Sequence, residues 1–418
     1  MTPPAAALVG SALLALACSP AEDLLLSVET WNVALAGSFS PHEAERREMI
    51  LEAVAGMESD IACIQEAWLQ SDKDAIIEAA ADRFPYSVSF EHDLGTAVDD
   101  ARDQDGIVPT DVGGPPCPEG ALGTLLDDAV ACLRDACSTV PGSEEGLVTS
   151  TTCAQRECLG VATPLLLRDA PGLRCYACVA TSLPTETLAA ARARCSTDGR
   201  AVLSFGGQNG EVLLSRHPLG SPSVTVLPAT WNRRVIVSAT AEVEGVGPID
   251  VHCTHLTPIF DSPAFPYTGA YGGGAVTASG WEAEQRLQAE RLVERVEATT
   301  GRGHGLVLGT VNASRGFRDQ AQVVVVEQGV GTMRLLDGAF TEAVARGYVP
   351  ACTVCPANPL TGGVASPVWV DRIFMTGIDP EDVRSTERTF VDPVVPVAEG
   401  TVPLSDHFGL RSVIAFRP

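Results

Sequence analysis

Apolar runs of strand length, each ending beside a polar side chain, recur on both sides of a cysteine-rich interruption in this chain. "LLLSVETWNV" closes near Asn32 and "DIACIQEAW" carries Glu66, while "VHCTHL" ends at His255. "LVLGTVN" reaches Asn312, "DRIF" opens at Asp371, and "LSDHF" holds Asp406 and His407. Runs this short, bounded by turn residues, suit buried strands rather than helices. Helical period appears between them, at Ile50, Ala53, Val54 and Met57 and again at Ala289, Leu292, Val293 and Val296. Strands and amphipathic helices interspersed in this way predict an α/β (α+β) fold.

The first strand is followed by Ser40-Pro41-His42-Glu43, a capping-box pattern with Pro at the first helical position. The strand rhythm breaks between about residues 95 and 200, where Gly113 to Pro116 reads Gly-Gly-Pro-Pro and eight of the thirteen cysteines gather. We read residues 18–100 and 200–418 as one interrupted domain and 101–199 as a loop-rich, disulfide-stapled insertion. Spacing does not fix the pairing of eight cysteines. The pairs Cys175/Cys178 and Cys352/Cys355 also have the spacing of zinc half-sites, and Cys63 and Cys253, inside strand patterns, are expected as buried free thiols. "GGQNGEVLLSRHPL", "RRVIVSATAEV" and "GPIDVHCTHL" predict consecutive antiparallel strands with turns at Gly245 and Gly247.

Leu8 to Ala17 is an apolar leader, and residues 1–17 read as a signal peptide. It ends in Ala15-Leu16-Ala17-Cys18, so the exported chain is expected either to carry lipid on Cys18 and sit on a membrane or to be secreted after ordinary cleavage. Removing Cys18 leaves an even number of cysteines for pairing. A balance of 28 basic against 53 acidic residues gives a net charge of −25, which disfavours nonspecific nucleic-acid binding. A monomer is expected.

The polar strand ends contain what metal-assisted phosphodiester hydrolysis needs. Glu66, with Asn32 and Asp406 nearby, can bind a hard cation such as Mg²⁺, or Mn²⁺ or Ca²⁺, through oxygen. His407 can take a proton from the attacking water if Asp371 holds its tautomer. His255, Asn209 and Asn312 can donate to phosphoryl oxygens where charge accumulates.

Taken in order, "TWNV", "IQEAW", "NGEVLLSRHPL", "CTHL", "LGTVNA", "WVDRIF" and "LSDHF" resemble the motifs of the endonuclease/exonuclease/phosphatase superfamily, which includes deoxyribonuclease I-like and neutral sphingomyelinase-like proteins. The resemblance covers residues 24–100 and 200–418. It implies a four-layer α/β sandwich, two mixed β-sheets face to face with helices outside. It also implies that Glu66 and Asn32 lie at the metal, that His407 is a general base paired with Asp371, and that His255 binds phosphate. The chain departs from the family pattern Gly-Asp-x-Asn at Thr310. A slow enzyme, an enzyme with a relocated acid such as Asp319 or Asp261, and a surface-anchored binding protein without turnover all accommodate that departure. For an impaired enzyme, Thr310→Asp is expected to raise activity.

The substrate is expected to be a phosphodiester in a lipid head group, a nucleic acid or a small molecule. Net charge and the aromatic loop 257–280, with Phe260, Phe265, Tyr267 and Tyr271, favour a lipid or small molecule, with a packed lid as the other reading of the loop. Arg315 and Arg318 are candidates for contact with a phosphate backbone.

Overall fold

The computed structural model describes residues 23–37, 40–91, 115–117, 121–136, 157–158, 160–161, 170–182, 186–197, 203–261, 265–269, 271–275, 277–301, 303–361, 366–398 and 400–417. The leader, Cys18, Cys137 and Cys153 lie outside the described residues.

The first half contributes β1 (Leu24–Leu35), α1 (Glu43–Ala55), β2 (Ile61–Ala67), α2 (Gln70–Ala80) and β3 (Tyr86–Val88). Among the described residues of the insertion the helices α3 (Ala121–Ala136), α4 (Ala170–Ser182) and α5 (Leu188–Thr197) follow. Then come β4 (Val212–Ser215), β5 (Leu219–Leu227), β6 (Arg234–Val243), β7 (Gly247–His255), α6 (Ala278–Thr300) and β8 (His304–Thr310). The remainder supplies β9 (Phe317–Arg318), β10 (Val324–Val325), α7 (Val330–Ala339), β11 (Thr341–Glu342), β12 (Asp371–Thr376), β13 (Val383–Thr389), β14 (Val395–Val397), β15 (Gly400–Val402) and β16 (Gly409–Phe416).

Two mixed six-stranded sheets result, ordered β13-β16-β1-β2-β4-β3 and β11-β12-β8-β7-β6-β5. Each has one parallel pair, β1 with β2 and β7 with β8. Alternate residues of a strand face opposite sides of its sheet. Leu26, Val28, Ile61 and Leu213 of one sheet therefore meet Val237, Val251, Leu306 and Ile373 of the other in a shared core. On the outer face of the first sheet, Val33, Ile64 and Val212 pack with Ile50 and Val54 of α1 and Ile76 of α2. On the outer face of the second, Ile236, Val307 and Phe374 pack with Leu292 and Val296 of α6 and Met333 and Leu336 of α7. The molecule is thus a four-layer α/β sandwich.

Several local expectations are corrected. α1 is capped at His42, without a side-chain hydrogen bond, and Ser40 instead accepts from the Arg46 guanidinium. β4 pairs with β2 and β3 in the first sheet, so the antiparallel meander of the second is β5-β6-β7, and β5 was not anticipated. The described part of the insertion is helical rather than loop-rich, because its apolar positions pack around the half-cystines. Cys63 and Cys253 are not free thiols. They face each other across the two sheets and form a disulfide spanning 190 residues of sequence. Within the insertion Cys117 pairs with Cys175, Cys132 with Cys158, and Cys178 with Cys195, and outside it Cys352 pairs with Cys355. With those sulfurs bonded, neither Cys-x-x-Cys pair offers thiolates to zinc.

Candidate active site

Strand register gathers the polar ends. In the first sheet Asn32 of β1 stands opposite Gln65 of β2. In the second, His255 of β7, Thr310 of β8 and Asp371 of β12 lie in one row. Gly309 lets β8 run this close to β7, since a Cβ there would fall 1.9 Å from the Thr254 carbonyl oxygen. Glu66 and Asn312 both adopt left-handed backbone, with φ of 61° and 51°. Such conformations in non-glycine residues cost energy and are concentrated at functional sites. Gly210 makes room for the first of them, because its added Cβ would sit 3.1 Å from the Glu66 Cα.

Asp371 is fully buried and bonded at both oxygens. Oδ2 lies 2.9 Å from the His407 Nδ1, and Oδ1 accepts from the Thr310 hydroxyl at 2.6 Å. Burial alone would lower the His407 imidazole, but the Asp371, Asp406 and Glu66 carboxylates outweigh it and lift the group to about 10. Glu66 is pushed up by burial and then by Asp406, with His407 and Arg234 acting in the opposite sense. Glu66 Oε1 lies 3.8 Å from the His255 Nε2.

The Asn312 amide nitrogen donates to the Leu256 carbonyl at 2.8 Å and lies 3.0 Å from the His255 Nε2. A carbonyl only accepts, so Nε2 receives the second amide proton and the His255 ring proton sits on Nδ1. Burial, with Arg234 and His407 adding to it, holds His255 well below the usual histidine range, so the ring is neutral. Nδ1 has no hydrogen-bond partner. Asn209 is also committed, donating to the Phe90 carbonyl at 2.7 Å. The same carbonyl accepts from Lys73, the only lysine of the chain, at 2.7 Å.

Two further site residues escaped the sequence reading. Glu211 is completely buried, and burial raises it to about 8 against the opposing pull of Arg234, Lys73 and the adjacent backbone N–H groups of Gly210 and Glu211. Arg234 lies over the Trp68 ring at 5.3 Å, acts electrostatically on Glu66 and Glu211, and leaves Nε and Nη1 unpartnered. The motif "NGEVLLSRHPL" and the strand "RRVIVSATAEV" did not single them out, and only the neighbouring strands show that both side chains are enclosed.

Other candidates have different roles. Asp319 accepts from the Val323 N–H at 2.8 Å within the β9–β10 hairpin, and Asp261 lies in an exposed loop. Arg315 is engaged by Asp337 and Glu342, while Arg318 is exposed. The aromatic loop is packed: Phe260 stacks on Phe265 at 4.7 Å, both lie against Trp231, and Tyr267 is buried with its hydroxyl on Glu284 at 3.0 Å. The described aromatic residues of that loop are thus packed into the molecule around Trp231 and Trp281.

The donors at the site suit a hard cation. Glu66 and Asp406 are close enough for one carboxylate to raise the other, and Asn32 lies beside Glu66 with its side-chain oxygen accepting from the Ala34 N–H at 3.0 Å. Among the described residues no group of three or more His, Cys, Asp or Glu side chains closes around an ion by itself.

Fold and topology define the class: the chain has the fold of the endonuclease/exonuclease/phosphatase, deoxyribonuclease I-like superfamily. Among solved structures it is similar to SmcL, at TM-score 0.50 and 12% identity over 93% of this chain and 99% of that one. It is similar also to a doubly substituted beta toxin from Staphylococcus aureus with bound magnesium ions, at TM-score 0.50 and 13% identity over 93% and 98% of the two chains. Sphingomyelinase C from Streptomyces griseocarneus aligns at TM-score 0.49 and 15% identity over 94% and 99%. No protein-family model and no curated protein sequence matches the chain.

Proposed function

We propose that the chain is a metal-dependent phosphodiester hydrolase that works outside the cytoplasm. The observation that carries this reading is the Asp371–His407 pair, joined at 2.9 Å and within electrostatic reach of Glu66 and Asp406. Glu66, Asp406 and Asn32 would hold the cation, and the magnesium bound in the beta toxin structure supports Mg²⁺ as the first choice. When bound, such an ion neutralises charge on the phosphoryl group and eases departure of the leaving oxygen. With Nδ1 committed to Asp371, His407 takes the proton of the attacking water at Nε2, and Asp371 stabilises the imidazolium that results. His407 must be neutral to do so, and neutralising Glu66 and Asp406 removes two of the three carboxylates that lift it. The Asn312 amide is bonded to Leu256 and His255 and the Asn209 amide to Phe90, so we assign the positive potential for phosphoryl oxygens to the unpartnered Nε and Nη1 of Arg234 and the unpartnered Nδ1–H of His255.

The net charge of −25 favours a lipid head group or small phosphodiester over duplex nucleic acid. Disulfides in both the sandwich and the insertion support an oxidising compartment. Attachment through lipid on Cys18 is part of the same proposal. Thr310, in place of an acid, favours a second reading, a binding protein without turnover.

One assay separates the two. The chelated protein should not cleave bis(4-nitrophenyl) phosphate, and added Mg²⁺ or Mn²⁺ should restore cleavage. Glu66→Ala should lose both activity and metal dependence, whereas His407→Ala should lose turnover and keep metal binding. Metal-independent cleavage, or full activity in both variants, overturns the assignment, and metal binding without cleavage selects the second reading.

A further inference from the structure

The segment before β12 makes a tight turn closed by the Cys352–Cys355 disulfide, with both half-cystines buried. Thr353, between them, is completely buried and bonded to Asp371 and to Phe408, the residue that follows His407. Its hydroxyl oxygen accepts from the backbone N–H groups of Val370, at 3.1 Å, and Asp371, at 3.2 Å. Its carbonyl accepts from the Phe408 N–H at 2.9 Å. Val354 forms antiparallel bridges with Val368 on one side and His407 on the other. Further along the turn, the Asn358 amide donates to the Ser405 carbonyl at 2.8 Å, and the Ser405 hydroxyl donates to the Asn32 carbonyl at 2.7 Å. Arg388 braces the turn from outside by donating to the Cys352 carbonyl at 2.8 Å.

Asp371 and His407 are 36 residues apart, in segments that the two-sheet hydrogen bonding does not join directly. The turn from Cys352 to Asn358 is bonded to both segments and is itself closed covalently. We propose that this disulfide-closed turn is the positioning element of the Asp371–His407 pair and that Thr353 is its central positioning residue, an inference that rests on the hydrolase reading above. Thr353 touches neither substrate nor reacting atoms. It acts by fixing where the Asp371 backbone begins and where the His407 strand passes.

The test uses the full chain with Thr353→Val, Thr353→Ser and the double variant Cys352→Ala/Cys355→Ala. Displacement of a catalytic pair by a fraction of an ångström lowers kcat more than KM, so Thr353→Val should lose at least about tenfold in kcat with KM held within about twofold. Thr353→Ser keeps the accepting oxygen and should stay within about threefold of the wild type, and the double cysteine variant should lose at least about threefold in kcat. A second readout does not need turnover. The downfield proton resonance of the His407 Nδ1–H, identified by its absence in His407→Gln, should broaden or shift in Thr353→Val and the cysteine variant and persist in Thr353→Ser. Wild-type kcat and an unchanged resonance in Thr353→Val and the cysteine variant overturn the proposal. Equal loss in Thr353→Ser and Thr353→Val overturns it as well. If the wild type shows no hydrolysis, the hydrolase reading fails and the resonance alone decides the positioning role. If Thr353→Val does not fold, the serine and cysteine variants decide it.

Discussion

Thr310 has one hydroxyl proton and two oxygens within reach, Asp371 Oδ1 at 2.6 Å and Gln65 Oε1 at 3.3 Å. The shorter contact, to a carboxylate, takes it. Gln65 donates to the Thr30 hydroxyl at 3.0 Å within the first sheet, while in the second the Thr310 hydroxyl is committed to Asp371, which in turn holds His407. Thr310→Val should therefore cost about 1.5–3 kcal/mol of stability, the range for a lost hydrogen bond to a charged group, measurable in a urea titration. Thr310→Asp would set a second carboxylate against Asp371 in a fully buried position, where one of the two must bind a proton. The geometry reverses the motif-based expectation: turnover on bis(4-nitrophenyl) phosphate should fall by at least about tenfold, and a gain would show that the new acid turns away from Asp371. Glu211 provides a pH signature. Its folded value near 8 exceeds the unfolded 4.5, so between those values the folded state holds a proton that the unfolded state has released. Stability from this group is complete below the unfolded value and is lost as pH rises through the folded one, at up to about 1.4 kcal/mol per pH unit. In metal-free protein Glu211→Gln should flatten the fall in denaturation midpoint between about pH 5 and 8. Glu66, Asp371 and His407 were legible as candidates because they punctuate apolar strands. Glu211 and Arg234 were not, since their burial comes from strands distant in sequence.

The strands of the sandwich were the most readable elements, because alternation or continuous apolarity survives whatever lies opposite. Less readable was everything decided by a partner. The Ser40 pattern promised a cap, but Arg46 claims the Ser40 hydroxyl and the helix starts later. α6 shows an apolar stripe from Ala289, yet buries Glu284, Gln285 and Gln288 as well. Those three side chains bond Thr230, Thr257 and the Asn312 carbonyl, tying the packed aromatic loop and the site loop to one helix. The Cys63–Cys253 link was hidden because pairing needs the two sheets stacked, which neither strand alone reveals. A cross-link closing 190 residues restricts the unfolded chain strongly. The double variant Cys63→Ser/Cys253→Ser should lose about 2–5 kcal/mol, read from the guanidinium midpoint under oxidising conditions. A loss below about 0.5 kcal/mol would show that the core holds the sheets without it.

Across the molecule, two sheets each bring one row of polar ends to the same place, and the disulfide from β2 to β7 lies just beneath that row. The layered architecture was legible from motif order and from the alternation of strand and helix. The helices of the insertion and its packing of Tyr176 against the Trp231 and Trp281 cluster were not, because cysteine spacing carries no information on secondary structure. The proposed chemistry depends on the convergence of Glu66, Asp406 and Asn32 beside the Asp371–His407 pair. Anomalous diffraction from crystals of the full chain soaked in Mn²⁺ tests that most directly. It should show an ion bound by Glu66, with Asp406 and Asn32 beside it, and no such ion in Glu66→Ala. Manganese bound elsewhere in the wild type, or the same peak surviving in Glu66→Ala, would contradict the account.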